Sequence, residues 1–419
     1  MSRRFATVEA PGPLQVVQVG AGSMGRHWLD VIGATPEVEL VGLVDLDLDL
    51  ARRAAAERGI EPLIGDSVTA VAAESGAQAV IDVTVPPAHH AVNTEALFAG
   101  LPVLCEKPIA PTVAQALSLA AAAEASGQLL MTSQSRRYYP ALAELKTVLP
   151  ALGDVGIVTT EFFKAPHFGG FRDEMEHPLL VDMAIHAFDV ARYLLDADPV
   201  SVDCRTFNPS WSWYRGDAAA SAVFEFEGGT RYTFTGSWCS PGFETSWNGN
   251  WRISAAGGTA LWDGEGRPRV EFVSEGGAAA AALAAGSGAG AGQPGAGQPG
   301  AGDSGTDGSG SAAKPRSEIA GALDEFVDAV RTGRTPSGDV HANVFSLAMV
   351  EGAVRSAERV GTVTLDEVLE DAYRAALADE RRADVRAALE SWGTAAAGLR
   401  AGGAAELQEA AELQEEDGR

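Results

Sequence analysis

Residues 16–32 read VVQVGAGSMGRHWLDVI. A mostly apolar strand-forming run meets Gly20, Gly22 and Gly25, spaced G-x-G-x-x-G, and a segment of helical period follows at once. Each glycine has its own task in such a turn. Gly20 permits the tight bend, Gly22 lets the backbone approach a pyrophosphate, and Gly25 lets the helix pack close to the strand. The helix start at Ser23 and Met24 offers N–H groups to phosphate oxygens. Asp45 closes the next strand about twenty residues on, where a carboxylate holds a ribose diol and repels a 2′-phosphate. A dinucleotide site is expected, for NAD in preference to NADP, with Arg52 and Arg53 keeping NADP open.

Working outward, strand-length apolar runs fall at Leu14–Gly20, Val38–Asp45, Ala79–Val85, Pro102–Cys105 and Leu129–Thr132. Helical segments at Ser23–Gly33, Leu48–Arg58, His89–Ala99 and Thr112–Ser126 separate them. Alternation of this kind makes right-handed βαβ units and a parallel, doubly wound sheet. Beyond about Gly156 the pattern turns β-rich, at Ile157–Phe163, Val200–Phe207, Ala220–Glu227, Thr230–Ser237, Trp251–Ala255 and Val270–Val273. The segment EFEGGTRYTF (225–234) carries a Gly-Gly hairpin signal. The expected fold class is therefore α/β: a doubly wound N-terminal domain, then an α+β domain with an open, mostly antiparallel sheet. One helix, Val181–Leu195, precedes that sheet's later strands, and helices return at Ser317–Arg331 and His341–Val360. The expected division is a flexible 1–13, a nucleotide-binding 14–150, a second domain 151–378 and an Ala/Glu-rich extension 379–419. Residues 276–312 are nearly all Ala, Gly and Ser, so a disordered insert is expected there.

The chain has 419 residues, 46% hydrophobic and 21% charged, with a formal net charge of −26. That charge argues against nucleic acid or an anionic membrane surface as a partner. Three scattered cysteines (Cys105, Cys204, Cys239) make neither a disulfide framework nor a thiolate zinc site, which fits a reducing cytoplasm. After Phe5 no apolar leader segment follows, and no apolar run reaches membrane-spanning length.

Three further stretches carry chemistry. DVTVPPAHH (82–90) ends a strand at Pro86–Pro87 on the edge where open α/β sheets bind ligands, so Thr84, Pro86 and His89 are cofactor candidates. His89 and His90 equally suit a plain helix start. VLCEKPI (103–109) places Glu106 and Lys107 on the same edge, where a lysine can stabilise a developing alkoxide. In HPLLVDMAIHAFDVARYLL (177–195), Asp182 and His186 stand at i and i+4. Such a pair can work as a general base, the histidine taking a proton and the carboxylate orienting it. Two ligands do not make a metal site, and no metal is expected. Trp211, Trp213, Tyr214, Trp238 and Trp247 could flank a sugar ring or simply pack.

Together these motifs resemble the glucose–fructose oxidoreductase / inositol dehydrogenase (Gfo/Idh/MocA) family. The resemblance covers most of residues 14–365. GAGSMG (20–25), VDLD (44–47), AGLPVLCEKPIAPT (99–112), DMAIH (182–186) and NVFSLAMVEGAVRSAERVGTVTL (343–365) carry it. It implies catalytic roles for Lys107, Asp182 and His186. It also implies a cofactor-side place for His89, and one facing nicotinamide or substrate for Arg137 in QSRRYYP (134–140). It further implies a homo-oligomer built through the second sheet. The lead-in MEHPLLVD and Ala184 depart from the family's glycine-rich pattern there. The expected activity is hydride transfer between NAD and a small sugar, inositol or polyol substrate. Two alternatives stay open: a lyase or glycosidase that recycles its cofactor, and a cofactor-binding sensor.

Overall fold

Short apolar runs build the first sheet of this computed structural model, which describes residues 5–273 and 316–403. The insert at 276–312 and the AAELQEAAELQEE segment lie outside the described residues. The strands are β1 (Leu14–Val19), β2 (Val38–Val44), β3 (Leu63–Gly65), β4 (Ala79–Asp82), β5 (Val103–Glu106) and β6 (Leu130–Ser133). They pair in parallel in the order β3-β2-β1-β4-β5-β6. Every residue of β4, β5 and β6 is buried, as a sheet covered on both faces by helices demands. Those helices include α1 (Ser23–Gly33), α2 (Leu48–Ala56), α3 (Val68–Ser75), α4 (Pro86–Phe98) and α5 (Val113–Ser126). The strand order reverses between β1 and β4, which opens a crevice at their carboxyl ends.

Sequence periodicity passes over β3 and α3. Three half-buried residues at a sheet edge carry too little apolar signal to stand out. Helix α4 starts at Pro86 rather than His89, because proline suits the first helical positions, where its missing N–H would find no partner.

After α6 (Pro140–Val148) the second sheet runs β7 (Val155–Phe163), β8 (Pro199–Phe207), β9 (Ala219–Phe226), β10 (Arg231–Ser237), β11 (Asn250–Ala255), β12 (Gly258–Trp262), β13 (Arg269–Phe272) and β14 (Val363–Thr364). Its order is β13-β12-β11-β7-β10-β9-β8-β14, with β10 parallel to β7 and the other described ladders antiparallel. One face alternates inward through Val158, Phe162, Phe224, Tyr232, Phe234 and Trp251. Helix α7 (Ile185–Leu195) lies on this face: the Phe188 ring meets Phe224 edge-on at 4.8 Å and Phe234 at 5.4 Å. That contact seats His186, two residues earlier.

Helix α8 (Glu318–Thr332) follows the second sheet in sequence yet covers the first. Ile319, Leu323, Phe326 and Val330 share a core with Leu14, Val16, Trp28, Ile81, Leu104 and Met131, and Phe5 is buried in the same cluster. Helix α9 (Val340–Arg359) packs on α5, α7 and β8, and α10 (Leu365–Asp379) and α11 (Ala383–Ser391) pack on α5. A second, larger core includes residues from Val17 to Leu399 and joins both sheets. Among the described residues no helix is long and apolar enough to cross a membrane.

Candidate active site

Gly20 sits at φ +102°, and a Cβ on it would stand 2.6 Å from the Val83 carbonyl oxygen. A Cβ on Gly25 would stand 2.2 Å from the Gly20 carbonyl oxygen, while one on Gly22 would meet open space. Two of the three glycines are thus required by neighbouring backbone, and the third leaves room for a ligand. Helix α1 has no side-chain cap. Its first N–H groups, on Ser23, Met24 and Gly25, therefore lack both a cap and an intrahelical acceptor. This is a cradle suited to a pyrophosphate.

Gln18 braces the cradle from below, donating its amide to the carbonyls of Gly20 (2.8 Å) and Gly25 (2.9 Å). The Asp45 carboxylate accepts from the Ala21 N–H (2.8 Å) and the Asp47 N–H (2.9 Å), which fixes it beside the loop. Arg52 is exposed and paired with Asp49 at 2.8 Å. At the end of β4, Thr84 donates from its N–H and hydroxyl to Asp82, and Pro86 opens α4. These residues fit a dinucleotide. In Gly25→Ala the new methyl runs first into the Gly20 backbone, with Gln18 Nε2 next at 3.2 Å, so the melting-temperature shift given by NADH should vanish while the ligand-free protein still melts cooperatively. Wild type near a hundred times its dissociation constant should gain about 2.7 kcal/mol.

The catalytic candidates gather at the end of β5. The Glu106 carboxylate is buried and accepts from the Trp28 indole (2.8 Å) and the Lys107 N–H (3.1 Å). Burial pushes its pKa up, against the pull of Trp28 and Lys107. Lys107 Nζ donates to the Asp182 main-chain oxygen at 2.9 Å and lies 3.5 Å from Asp182 Oδ1. The other carboxylate oxygen accepts from Arg172 Nε at 2.6 Å. Burial pushes Asp182 up, but Lys107 and Arg172 outweigh it and hold the carboxyl below its usual range.

His186 is buried, and its Nδ1 has no partner. Burial first, then the charges of Lys107 and Arg136, push its pKa well below 6.5, so the ring is neutral at pH 7. The expected Asp182–His186 hydrogen bond is not formed. Residues Leu179–Ala184 wind as a π-helix before α7 begins, and that wider turn breaks the i,i+4 alignment. Both oxygens of Asp182 go to cations instead. His186 lines a small cleft with Arg136, Phe162, Phe234, Trp247 and Asn248. Neither Lys107 nor Asp182 borders that cleft.

Two family models match the chain. "Oxidoreductase family, NAD-binding Rossmann fold" covers residues 14–134, and "GFO/IDH/MocA C-terminal domain" covers 150–261. The chain belongs to the Gfo/Idh/MocA family of oxidoreductases. Among its relatives is inositol 2-dehydrogenase 1 of Saccharopolyspora erythraea, 33% identical over 193 residues, or 45% of this chain and 56% of that enzyme. Another, scyllo-inositol 2-dehydrogenase (NAD(+)) of Bacillus subtilis, is 28% identical over 53% of this chain and 67% of its own. The chain therefore spans little more than half of the first of these relatives. A crystal structure of an oxidoreductase from Agrobacterium radiobacter, in complex with NAD+, L-tartaric acid and magnesium, has the same fold. It superposes with a TM-score of 0.68 over 84% of this chain and 98% of its own, at 20% identity.

Within this Gfo/Idh/MocA chain, three expected cofactor contacts turn inward. Glu106 is occupied as described. His89 is wholly buried, with Nδ1 2.7 Å from the Pro108 carbonyl and Nε2 3.1 Å from that of Thr84. Carbonyl oxygens only accept, so whichever ring nitrogen carries the proton donates to its carbonyl. His89 thereby ties the end of β4 to the turn after Lys107. Asp82 and Cys105 approach it, the three donor atoms lying within 4.8 Å of one another. Each has protein partners: Thr84 bonds Asp82, and the Cys105 thiol donates to the Glu106 carbonyl at 3.2 Å.

Arg137 turns away from the cleft. Its guanidinium is buried and bidentate on Asp189 (2.8 and 2.7 Å), with a further bond to the Ser337 carbonyl. Its neighbour Arg136 takes the cleft. QSRRYYP offers two adjacent arginines, and the short 3-10 turn Ser135–Tyr138 decides which faces where. Arg172, in the loop before the π-helix, had no sequence signal of its own. Of the aromatic set, Tyr214 and Trp238 are buried and stacked at 6.0 Å, which is packing, while Trp247 lines the cleft.

Proposed function

We propose that the chain is an NAD-dependent dehydrogenase of a sugar, inositol or related polyol, with His186 as general acid/base. The observation that carries this reading is the Lys107 ammonium, fixed by the Asp182 main-chain oxygen and near enough for its charge to act on the buried His186. The inositol dehydrogenases among its relatives support it. NAD+ supplies the hydride acceptor when bound, held by the cradle from Gly20 to Gly25, by Asp45, and along the edge at Thr84 and Pro86.

Lys107 donates a hydrogen bond to the substrate hydroxyl oxygen and stabilises the negative charge that develops there. His186 takes the hydroxyl proton at Nε2, since Nδ1 is shut in the core. The carbinol carbon loses its hydrogen as hydride, and the C–O bond becomes a carbonyl. Asp182, between Lys107 and Arg172, keeps the ammonium aimed. We assign the outward face of the second sheet, where Ile157, Val200 and Val223 are exposed, to a homo-oligomer contact.

The test is NADH formation from NAD+ with a panel of inositols, hexoses and their acids. Steady accumulation is expected. Lys107→Met should lower kcat by about 10²–10³ while the NADH melting shift persists. Product without net NADH would favour the recycling lyase, and cofactor binding without turnover of any polyol would favour the sensor.

A further inference from the structure

Pro86 and Pro87 take from the Thr84 main-chain oxygen the donor that a turn into a helix would supply. The N–H three residues on would close that turn, but the residue there is Pro87, which has none. The next N–H, on Ala88, goes to the Val85 carbonyl at 2.8 Å. His89 approaches from the side instead, with Nε2 3.1 Å from the Thr84 oxygen. The other ring nitrogen, Nδ1, stands 2.7 Å from the Pro108 oxygen. The ring is wholly enclosed and is carried on the first turn of α4, so it bridges two main-chain oxygens from a fixed base.

Those oxygens flank the chemistry. Thr84 follows the end of β4, the edge assigned to the cofactor, and Pro108 follows the lysine directly. Lys107 has two further anchors. Its N–H donates to Glu106 Oε2 at 3.1 Å, on a carboxylate that Trp28 fixes, and its Nζ donates to the Asp182 main-chain oxygen at 2.9 Å. Glu106 thus holds the chain on one side of the lysine, and His89 holds it on the other.

We propose that His89 is a positioning residue for Lys107: through the Pro108 carbonyl it sets where the ammonium meets the substrate oxygen. The effect on rate rests on the dehydrogenase reading, whereas the effect on the place of Lys107 rests on geometry alone. Misplacing such a group by about 1 Å can lower a rate about 10²-fold.

His89→Leu should lower kcat by about 10–10² while the NADH melting shift is kept. Two amides divide the ring's contacts. Counted in bonds from Cβ, asparagine keeps a nitrogen at the place of Nδ1, and glutamine keeps one at the place of Nε2. His89→Asn should recover most of the loss, and His89→Gln little of it. The deciding comparison is a double-mutant cycle with Lys107→Met. Adding His89→Leu to Lys107→Met should change kcat by less than about twofold, because the group it positions is already gone. The same loss in both backgrounds would overturn the proposal, as would wild-type turnover in His89→Leu or equal losses in the two amides. Where His89→Leu does not melt cooperatively, His89→Gln takes its place in the cycle.

A second readout needs no turnover. The Lys107 charge disfavours protonation of His186. The His186 ring signal in NMR, assigned by its absence from His186→Gln, should therefore titrate at higher pH in His89→Leu than in wild type, the direction in which Lys107→Met moves it. No movement would overturn the link to Lys107. Movement in a protein that oxidises no polyol would count against the dehydrogenase reading and leave the link standing.

Discussion

His186→Gln lowers kcat for polyol oxidation by about 10²–10⁴, the range that a positioned general base contributes. Binding of NADH, read as a melting shift, stays as in wild type, because the cradle at Gly20–Gly25 is elsewhere. The pH dependence separates loss of a base from loss of packing. A base must be unprotonated to accept the hydroxyl proton. Burial, Lys107 and Arg136 all disfavour the charged ring, so its pKa lies well below 6.5. The wild-type oxidation rate should therefore hold level down through neutral pH and fall only on the acid side of that value. In His186→Gln the acid limb attributable to this group disappears, and the residual rate is flat across the same span. A variant that keeps the limb would move the proton to another residue.

Asp189→Ala destabilises the protein by about 3–5 kcal/mol, the cost of stranding a buried charge. Arg137 has Asp189 as its bidentate partner, and Ser346 also donates to that carboxylate at 2.7 Å. Burial works against the arginine's charge, and Asp189 more than offsets it, so the pKa is raised. Replacing both partners by leucine should recover much of the loss, because the charge and its desolvation are removed together. Thermal and urea unfolding of the two variants measure this. If Asp189→Ala unfolds within 1 kcal/mol or so of wild type, the pair has another acceptor in solution.

The nucleotide-binding half is legible in the sequence because its signals are local. A strand, three glycines at fixed spacing and an acid at the next strand's end each demand a particular backbone, and Gly20 and Gly25 show why nothing larger fits. Lys107 is legible for a similar reason, since a charge after a buried strand must leave the core at the ligand edge. The partnership of Asp182 is not. Spacing of i and i+4 assumes an α-helix, and a π-turn looks no different in residue types. Nor does the sequence say that Arg172, ten residues earlier, takes half of that carboxylate. The exchange of Arg136 for Arg137 turns on one 3-10 turn, whose direction is set by Asp189 more than fifty residues away. Non-local pairing hides in a sequence wherever two equally suitable residues stand side by side.

The place of helix α8 bears on how the chain is made. The apolar face formed by Leu14, Val16, Ile81, Leu104 and Met131 packs against Ile319, Leu323, Phe326 and Val330. At about 5–20 residues per second, a ribosome that has finished the first sheet needs roughly 10–40 s more to reach that helix. For that interval the nascent first domain carries an open greasy flank. A holdase that shields such flanks should raise the soluble yield of this protein in cells, and chains stopped short of residue 318 should precipitate although every strand and glycine of the nucleotide cradle has been synthesised.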